Sequence, residues 1–430
     1  MHRRVRFAVT GAVAVSLAIG VAACGSSEDD AAGEAGSQVT LRAFLPTTAE
    51  AAAKDSIAAF EAENPDIKVD AEYYESSKLG PLLLTQLQAG NAPDVFQANP
   101  GNATAAGVWP LAKNGQLMDL TGSDWESRIY PSTKQYVSWE DKVYGYPVTL
   151  SPYAVLYNTE LFQELGLKVP TTPDDVLAMC MKVKDAGKVP FVQALSDVSA
   201  GLIIGHLVMG EYVYAVDPDF NQKREAGDVT FADSPQFRQS LQAIVDMNDA
   251  GCFQPGAQGT SRPQQYAMFA EGDAVMSIIA AAELPNFTTL NEDIDYGFFT
   301  LPAESPEDTV VVAFTPIALA ANAKSAHPEQ AKAFISFMAK EDINSEFAKA
   351  AGSVAPFEAQ EGKVPPNMET NLGPLFEAGK VVGAEDAGWP SPAVFNEGYA
   401  GGMLGLFTGQ KTVDDILADM DGLWDKAPGK

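Results

Sequence analysis

The folded part of the chain begins with a regular alternation of polar and apolar residues. Residues 39–44 (VTLRAF) alternate with the period of two that is typical of a β-strand, and residues 67–73 repeat the pattern. Between these runs, residues 49–63 have apolar side chains on one helical face and stop before an Asn-Pro pair, which predicts a helix. A second helix is predicted at 82–89 and a short third strand at 94–97. This β-α-β-α-β order predicts a mostly parallel sheet with helices on its faces.

Helix signals continue to the end of the chain. Thr172 is followed by a proline and two acidic residues, which is the composition of a capped helix start. Apolar residues at helical spacing follow the Ser-Pro pair at 234–235 and the His-Pro pair at 327–328, and residues 413–424 form an amphipathic segment. With 430 residues, the chain is long enough for two or three domain-sized units of this α/β kind.

The first two dozen residues have the pattern of a secretion signal. A basic start leads into an apolar run at 7–19 and then into small residues that end at Cys24. The run is shorter than the roughly 20 apolar residues of a membrane-spanning helix. The cysteine after small residues resembles the lipobox of bacterial lipoproteins, in which it carries lipid and becomes the mature N-terminus. We therefore expect residues 1–23 to be a lipoprotein signal peptide, with an ordinary signal or a membrane anchor as alternatives.

Residues 24–38 separate this signal from the folded body. Beyond Cys24 they are small and acidic and lack large apolar side chains, so they cannot bury a core of their own. We expect a lipidated cysteine and a disordered tether, which would keep the folded body outside the cytoplasm and anchored to the cell membrane.

The net charge narrows the choice of partner. The whole chain carries −29, and removing the three arginines of residues 1–23, which contain no acidic residue, leaves −32. Affinity for nucleic acid depends on Lys and Arg side chains that neutralise phosphates, so a chain this acidic is a poor candidate for that role. For the same reason an anionic lipid surface is not expected to be its main partner.

Catalytic and metal-binding motifs are largely absent. The sequence has no Walker loop, no dinucleotide-binding glycine motif, and neither an HExxH nor a GxSxG signature. Its three histidines, at positions 2, 206 and 327, and its distant cysteines do not have zinc-ligand spacing. We expect no metal, no cofactor and no catalytic residue, although 57 acidic residues leave a glycosidase-type carboxylate pair open.

Cys180 and Cys252 are the cysteines of the folded body. Disulfides persist outside the cytoplasm, where the signal would direct the chain. A disulfide also requires the two Cα atoms to lie within about 7 Å, which the sequence does not reveal. A disulfide between Cys180 and Cys252 and a pair of buried free thiols both remain open.

Short motifs follow one another along the folded body. The first two lie at 59–69 (AFEAENPDIKV) and 89–95 (AGNAPDV). The others lie at 144–147 (YGYP), 156–162 (LYNTELF), 170–176 (PTTPDDV), 269–276 (FAEGDAVM) and 408–417 (TGQKTVDDIL). In this order they resemble the family 1 extracellular solute-binding proteins of ABC importers, with Val275 where that family usually has alanine.

The resemblance implies a two-lobed α/β fold of the type II-like periplasmic-binding-protein kind. Each lobe would be a mostly parallel sheet flanked by helices, and the lobes would be hinged around a ligand cleft. The chain would cross between the lobes more than once. We expect lobe 1 at 39–150 plus 300–345 and lobe 2 at 151–299 plus 346–430.

The resemblance also implies a transport function without catalysis. The protein would capture a sugar or oligosaccharide by lobe closure and, as a monomer, deliver it to ABC permease subunits. One departure from the family concerns residues 280–285 (AAAELP), where sugar-binding relatives often have a tryptophan and this chain has no aromatic residue. The alternatives are therefore a binding protein for a non-sugar solute, such as a polyamine, or an extracytoplasmic glycan-active enzyme.

Candidate ligand contacts are polar or aromatic residues near the ends of predicted strands, where doubly wound sheets bind ligands. Sugars require aromatic platforms together with carboxylate, amide or hydroxyl partners. The candidates are Thr47, Thr48, Gln97, Asn99, Ser151, Tyr153, Asp197, Glu283, Phe314, Thr315 and Trp389. Trp389, in a loop rich in glycine and proline, is the predicted stacking platform. The alternatives are core packing for the aromatic residues, a solvated surface for the acids, and turn or cap positions for the others.

Overall fold

The first two strands of the folded body contain the two alternating runs of the sequence. The structure, a computed structural model, describes residues 38–102, 104–196, 198–358 and 364–427. The predicted signal peptide, residues 24–37 of the tether and the candidate Asp197 lie outside the described residues. The strands are β1 (Val39–Pro46), β2 (Ile67–Tyr74), β3 (Val95–Ala98), β4 (Ser138–Trp139), β5 (Lys142–Val143), β6 (Tyr146–Pro147), β7 (Ser151–Asn158), β8 (Val189–Phe191), β9 (Ala274–Ala280), β10 (Tyr296–Phe299), β11 (Val311–Phe314), β12 (Ala318–Ala321) and β13 (Val381–Val382).

Helices connect and cover these strands. They are α1 (Glu50–Glu63), α2 (Ser76–Ala89), α3 (Val108–Lys113), α4 (Pro131–Lys134), α5 (Thr159–Glu164), α6 (Pro173–Asp185), α7 (Val198–Met209), α8 (Phe220–Ala226), α9 (Pro235–Asp249), α10 (Arg262–Ala270), α11 (Leu284–Thr288), α12 (Pro328–Met338), α13 (Glu341–Ala350), α14 (Pro366–Glu369), α15 (Gly373–Glu377), α16 (Gly401–Thr408) and α17 (Val413–Asp425). Two π-helical stretches, Gly210–Tyr214 and Val394–Ala400, adjoin α7 and α16. No helix in the described part of the chain has the length and apolar composition that crossing a bilayer requires.

Helix caps explain several of the starts that the sequence predicts. The Thr172 side chain accepts a hydrogen bond from the backbone N–H of Asp175, and the Asp175 carboxylate caps Thr172 in return. The same reciprocal pair begins α17 at Thr412. The second predicted helix starts earlier than expected, at Ser76 rather than at 82, and contains Pro81. The buried side chains of Leu79 and Leu83, one turn apart, favour this longer helix.

The strands form two main sheets. The first has the order β2-β1-β3-β12-β6, and the second has the order β13-β11-β7-β9-β8 with β10 also paired to β7. The first sheet packs against α1, α12 and α13, and α1 contacts α12 through Phe60 and Phe334, whose ring centroids lie 5.1 Å apart. The second sheet packs against α6, α7, α9 and α17. We call each sheet with its helices a lobe, lobe 1 for the first and lobe 2 for the second.

The prediction that each sheet is mostly parallel is wrong for lobe 2, and the sheet of lobe 1 is mixed. Strands β1, β2 and β3 are parallel as expected, but β12 is antiparallel to both β3 and β6. In lobe 2, β7 is antiparallel to β9, β10 and β11. The parallel rule holds for consecutive strands that a helix joins within one sheet. Strands β7 and β12 instead enter their sheets directly from the other lobe, and the rule does not govern their direction.

The chain passes between the lobes three times, since α13 packs in lobe 1 and the later strand β13 pairs in lobe 2, and the first two crossings are short. Residues 148–150 join β6 of lobe 1 to β7 of lobe 2, and residues 315–317 return from β11 to β12. The crossings lie side by side, since the backbone N–H of Val148 donates to the carbonyl of Ile317 at 3.0 Å. One strand departs from the predicted lobe bounds: β11, expected in lobe 1, pairs with β7 of lobe 2.

A disulfide joins Cys180 to Cys252. Cys180 lies on α6 and Cys252 follows α9, and both sulfurs are enclosed in the core of lobe 2. The bond closes a loop with a sequence separation of 72 residues. It therefore resolves the alternative that the sequence left open.

We expect the double substitution Cys180→Ala/Cys252→Ala to lower the free energy of unfolding by about 2–4 kcal/mol, because the unfolded chain gains the conformations that the closed loop forbids. Urea unfolding under non-reducing conditions measures this loss. Adding a reductant to the unfolded wild-type protein should bring its stability to that of the variant. Two free thiols in the denatured, unreduced wild-type protein would contradict the assignment.

Candidate functional site

A cavity of about 230 Å³ lies between the two lobes, beside the crossings. Lobe 1 contributes Asn99 and Pro100, which follow β3, and the segment around α4 that includes Ser132 and Tyr136. Lobe 2 contributes Tyr153 of β7, His206 of α7 and the ends of β11 and β13. The wall is thus built from strand ends of both sheets, which is where α/β folds bind ligands.

Three stacked rings form the lobe 2 wall of this cavity. Tyr153 lies between His206 and Phe314, with both ring-centroid separations at 4.7 Å and small interplanar angles. The ring of Phe395 contacts the other side of His206 at 4.2 Å. Because both faces of Tyr153 are covered, its ring is held rigidly and only its edge and hydroxyl are available to a ligand.

His206 connects the stack to an acidic loop. Its Nδ1 lies 2.8 Å from the carbonyl of Leu202, one turn earlier on α7, and its Nε2 lies 2.9 Å from Asp386 Oδ1. The backbone contact fixes the orientation of the imidazole, which in turn holds the Asp386 side chain at the cavity wall.

Glu385, the neighbour of Asp386, bridges the lobes from a nearly buried position. Its carboxylate accepts hydrogen bonds from the hydroxyl of Tyr136 and, at 3.3 Å, from Nε2 of Gln135, both in lobe 1. The pKa of Glu385 is raised to about 7, chiefly by burial; the hydrogen bond from Tyr136 opposes this rise, and the charge of nearby Asp386 contributes to it. Burial and the Glu385 charge also raise the pKa of Tyr136, so this phenol keeps its proton and remains a donor.

The backbone around Glu385 contacts lobe 1 just as closely. The carbonyl of Ala387 accepts from the N–H of Asn102 at 2.9 Å. Gly101 has φ +59°, and a Cβ at this position would lie 2.6 Å from the same carbonyl oxygen, so only glycine permits the approach. We call residues 383–389 the bridging segment, because it follows β13 of lobe 2 and contacts lobe 1 through both side chains and backbone.

A wider groove of about 810 Å³ adjoins the cavity and shares Tyr136 with it. Trp109 stacks on Tyr136 with a centroid separation of 6.0 Å and lies 5.9 Å from Trp139. The indole N–H of Trp109 donates to the carbonyl of Gln135, which fixes the ring. Trp109 and Trp139 are only half-buried, so this groove presents aromatic surface to a ligand. Its polar lining residues include Asn102, Asn114, Gln135, Asn221 and Gln222.

Four of the predicted site residues lie together in the cavity wall. They are Asn99, Tyr153, Phe314 and Thr315. The hydroxyls of Thr315 and of Ser132, another wall residue, have no hydrogen-bond partner among the described residues. Unpaired buried hydroxyls are unfavourable, so a ligand or a movement that supplies partners would be favoured here.

Other predicted site residues lie elsewhere. Gln97 and Ser151 are buried next to the cavity, where Gln97 Nε2 lies 3.5 Å from the carbonyl of Pro316 and Ser151 Oγ accepts from the N–H of Ala282. Thr47 and Thr48 are exposed after β1 and do not line the cavity or the groove. Glu283 forms a salt bridge with Arg262 at 2.6 Å.

Trp389 is the predicted platform whose position differs most from expectation. It is 1% exposed and packs among Phe231, Phe237 and Trp424, although it borders the groove from below. Its indole N–H donates to Asn221 Oδ1 at 2.9 Å. A tryptophan this large is enclosed because lobe 2 offers it an aromatic core. The indole surface open to a ligand belongs to Trp109 and Trp139.

Sequence reasoning missed the residues that connect the lobes. Tyr136, His206, Glu385 and Asp386 are not among the candidates that the sequence indicates. Glu385 and Asp386 precede Trp389 in the loop that the sequence singled out, and two adjacent acids beside a tryptophan were the available signal. Tyr136 offered no such signal, since its position follows from packing alone.

Comparisons with known proteins agree with this architecture. Residues 46–344 match the family model described as bacterial extracellular solute-binding protein. The chain is 26% identical over 326 residues to the multiple sugar-binding protein of Streptococcus mutans, covering 74% of each chain. It is also 26% identical over 372 residues to the diacetylchitobiose binding protein DasA of Streptomyces coelicolor, covering 82% of each chain.

Solved structures share the fold at lower sequence identity. The apo-form of RafE from Streptococcus pneumoniae matches with a TM-score of 0.76 at 22% identity, covering 91% of this chain and all of that chain. RafE in complex with raffinose matches with a TM-score of 0.72 at 23% identity, covering 90% of this chain and all of that chain. The two-lobed α/β fold that the sequence predicts is therefore confirmed.

We expect the stability that Glu385 contributes to be lost as pH rises from about 4.5 to above 7, because its pKa of about 7 lies above the ordinary value and the folded state keeps a proton that the unfolded chain loses. Glu385→Gln removes this dependence. Relative to the wild type, the variant should gain about 2–3 kcal/mol between pH 5 and pH 8.

Urea unfolding at the two pH values measures the difference. Glu397→Gln, which changes an exposed acid in the π-helical stretch Val394–Ala400, is the matched control and should track the wild type at both pH values. The same stability difference between Glu385→Gln and the wild type at pH 5 and at pH 8 would contradict the role assigned to burial.

Proposed function

Because the chain belongs to the bacterial extracellular solute-binding protein family, we propose that it is the extracytoplasmic binding component of an ABC importer that captures a sugar or oligosaccharide. It would hold the ligand between the lobes and deliver it to membrane permease subunits, while ATP is hydrolysed elsewhere. The proposal involves no chemical change in the ligand and no cofactor.

The aromatic groove carries the carbohydrate part of this proposal. Sugars have flat faces of C–H groups and a rim of hydroxyls, so their binding sites combine aromatic platforms with amides and acids. Trp109 and Trp139 supply half-buried rings, and Asn102, Gln135 and Asn221 supply amides beside them. Relatives named for binding multiple sugars and diacetylchitobiose support the same class.

The connected cavity and groove favour a ligand of more than one sugar unit. The cavity beside Tyr153 is small, at about 230 Å³, whereas the groove beside Trp109 is about 810 Å³. Tyr136 lies between them and borders both. A ligand could therefore place one unit against the Tyr153 wall and extend along the tryptophans.

Capture would work through the contacts of the bridging segment. Ligand shifts the balance toward the closed arrangement only to the extent that it binds that arrangement better. In the arrangement described above, Glu385 and the carbonyl of Ala387 already contact Tyr136 and Asn102 of lobe 1. A ligand that contacts both lobes would add to these bonds, while the crossings at 148–150 and 315–317 act as the hinge.

Carboxylates in the cavity and the groove keep a cationic solute as the competing ligand class, although Lys113 also lines the groove. Asp386 lines the cavity, and Glu225 lines the groove. Carboxylates are partners for sugar hydroxyls, but they equally attract the ammonium groups of a polyamine. A binding screen must therefore include both classes.

Isothermal titration of the purified protein with raffinose, diacetylchitobiose and spermidine tests the ligand class. We expect binding of at least one of the two sugars and no comparable binding of spermidine. Tight binding of spermidine with no sugar binding would overturn the carbohydrate assignment.

The substitution Trp109→Ala tests the stacking platform. It should weaken sugar binding by about 1–3 kcal/mol, because it removes an aromatic face from the groove. Tyr73→Ala is the matched control, since Tyr73 is a half-buried aromatic on β2 that lines neither the cavity nor the groove. Equal affinities of the two variants, with both folded by circular dichroism, would reject the platform.

Membrane attachment through Cys24 is part of the proposal, and it rests on the lipobox-like sequence alone. A lipid on Cys24 and the short acidic tether after it would keep the binding lobes beside the permease. We expect Cys24→Ser to move the protein from the membrane fraction to the soluble extracytoplasmic fraction, because the lipid supplies the apolar anchor. Full retention of the variant in the membrane fraction, by immunoblot against the wild type, would count against the anchor.

A further inference from the structure

Lobe 2 has a separate pocket of about 150 Å³ on its helical surface. It lies between α6 and α9 and reaches the end of α7, and a loop after β10 closes one side. None of the residues that line it lines the interlobe cavity or the groove. A ligand here would therefore not compete with a ligand in the cleft.

The pocket has an apolar floor. Its aliphatic lining residues are Pro173, Val176, Leu177, Val208, Ala243, Met247, Leu301 and Pro302. Several of them are buried core residues of lobe 2, so the floor is supported from below and keeps its shape. A volume of about 150 Å³ is on the order of an engineered protein cavity that binds benzene. The floor therefore suits an apolar group the size of one six-membered ring.

The rim of the pocket is acidic. Asp174, Asp246 and Glu304 surround the opening, and none of the lining residues is Lys or Arg. Two of the carboxylates are oriented by neighbouring amides: Gln239 donates to Glu304 at 3.0 Å, and Gln242 donates to Asp246 at 2.8 Å. These amides occupy only part of the acceptor capacity of each carboxylate, so both retain acceptor sites for a cation.

Tyr212 gives the pocket a polar group that no described residue pairs with. The residue is 7% exposed, lines the pocket, and its hydroxyl makes no hydrogen bond to a described residue. Burial raises the pKa of Tyr212, and the charges of Glu304, Glu211 and Asp246 raise it as well, so the phenol stays neutral. An unpaired hydroxyl beside two carboxylates is a position at which an ammonium group can donate a hydrogen bond while facing negative charge.

The backbone at Tyr212 is also irregular. It lies in the π-helical stretch Gly210–Tyr214, and such stretches are frequent at functional sites. Gly210 permits the close approach of this stretch to β11, because a Cβ there would lie 2.4 Å from a methyl carbon of Val312. The π-helical turn thus sets the position of Tyr212 in the pocket wall.

From this combination we propose that lobe 2 carries a second ligand site, which binds a small organic ammonium ion with an apolar body about one ring in size. The apolar body would lie on the floor between α6 and α9. The ammonium group would face Asp246 and Glu304, donate to the Tyr212 hydroxyl and contact the face or edge of its ring. This site goes beyond the proposed sugar capture and does not depend on it.

The benzylammonium ion is a suitable probe, because it combines one ring with one ammonium group. We expect isothermal titration of the wild-type protein to give saturable, one-site binding of benzylammonium chloride in the millimolar range or tighter. Benzyl alcohol has the same shape without the charge and should bind at least about tenfold more weakly. Equal affinities for the two probes would overturn the proposal. So would the absence of benzylammonium binding at concentrations up to about tenfold above the millimolar range.

Substitutions in the pocket test separately the contribution of its charge and the need for its empty volume. Asp246→Asn removes one carboxylate and Ala243→Leu fills the apolar floor, and each should weaken benzylammonium binding by about tenfold. Asp249→Asn, an exposed acid on the same helix outside the pocket, is the matched control and should leave the affinity unchanged. Tyr212→Phe keeps the ring and should weaken binding by about threefold or more through loss of the hydroxyl. Wild-type affinity in Asp246→Asn and Ala243→Leu would place the probe elsewhere and reject the site.

The cleft variant keeps this test independent of the proposed function. Trp109→Ala should leave benzylammonium binding at its wild-type strength, and Asp246→Asn should leave sugar binding at its wild-type strength. If Trp109→Ala weakened benzylammonium binding and Asp246→Asn did not, the probe would occupy the cleft and the second site would be rejected. Failure of sugar binding in the wild-type protein would leave the benzylammonium result unaffected.

Discussion

The two adjacent crossings at 148–150 and 315–317 are the constraint on which the rest of this structure depends. Each is three residues long, and the hydrogen bond from Val148 to Ile317 holds them together. Connections this short keep the ends of β6, β7, β11 and β12 at one place. The polar and aromatic residues at those strand ends must therefore meet there, which places Tyr153, Phe314 and Thr315 in one wall.

The crossings also explain why neither sheet is uniformly parallel. A strand that enters directly from the other lobe is not preceded by a helical crossover within its own sheet. Its direction is therefore set by the position of the crossing between the lobes. Strand β7 is the clearest case: it begins at Ser151 beside the cleft and runs antiparallel to all three of its partners. Its position at the centre of lobe 2 supports the His206–Tyr153–Phe314 stack.

The bridging segment connects the lobes through non-covalent contacts. It is firmly anchored in lobe 2 and makes weaker contacts with lobe 1. Trp389 holds its end in the aromatic core of lobe 2, whereas Glu385 and Ala387 reach lobe 1 through a few hydrogen bonds. Hydrogen bonds exchange with water at small net free energy, but an indole buried in a core does not. The segment is therefore a fixed part of lobe 2 whose contacts with lobe 1 can be made and broken.

Local sequence determined much of this protein. Alternation in residues 39–44, the cap at Thr172 and the amphipathic segment at 413–424 predict their elements correctly, because these signals act within a few residues. The candidates Asn99, Tyr153, Phe314 and Thr315 were chosen from the sequence, and the structure places all four in one cavity wall. Only the tertiary structure decided that Trp389 is enclosed, that Cys180 meets Cys252, and that Tyr136 pairs with Glu385, 249 residues away. Such pairs depend on which surfaces of two sheets come together, and no local spacing in the chain records that.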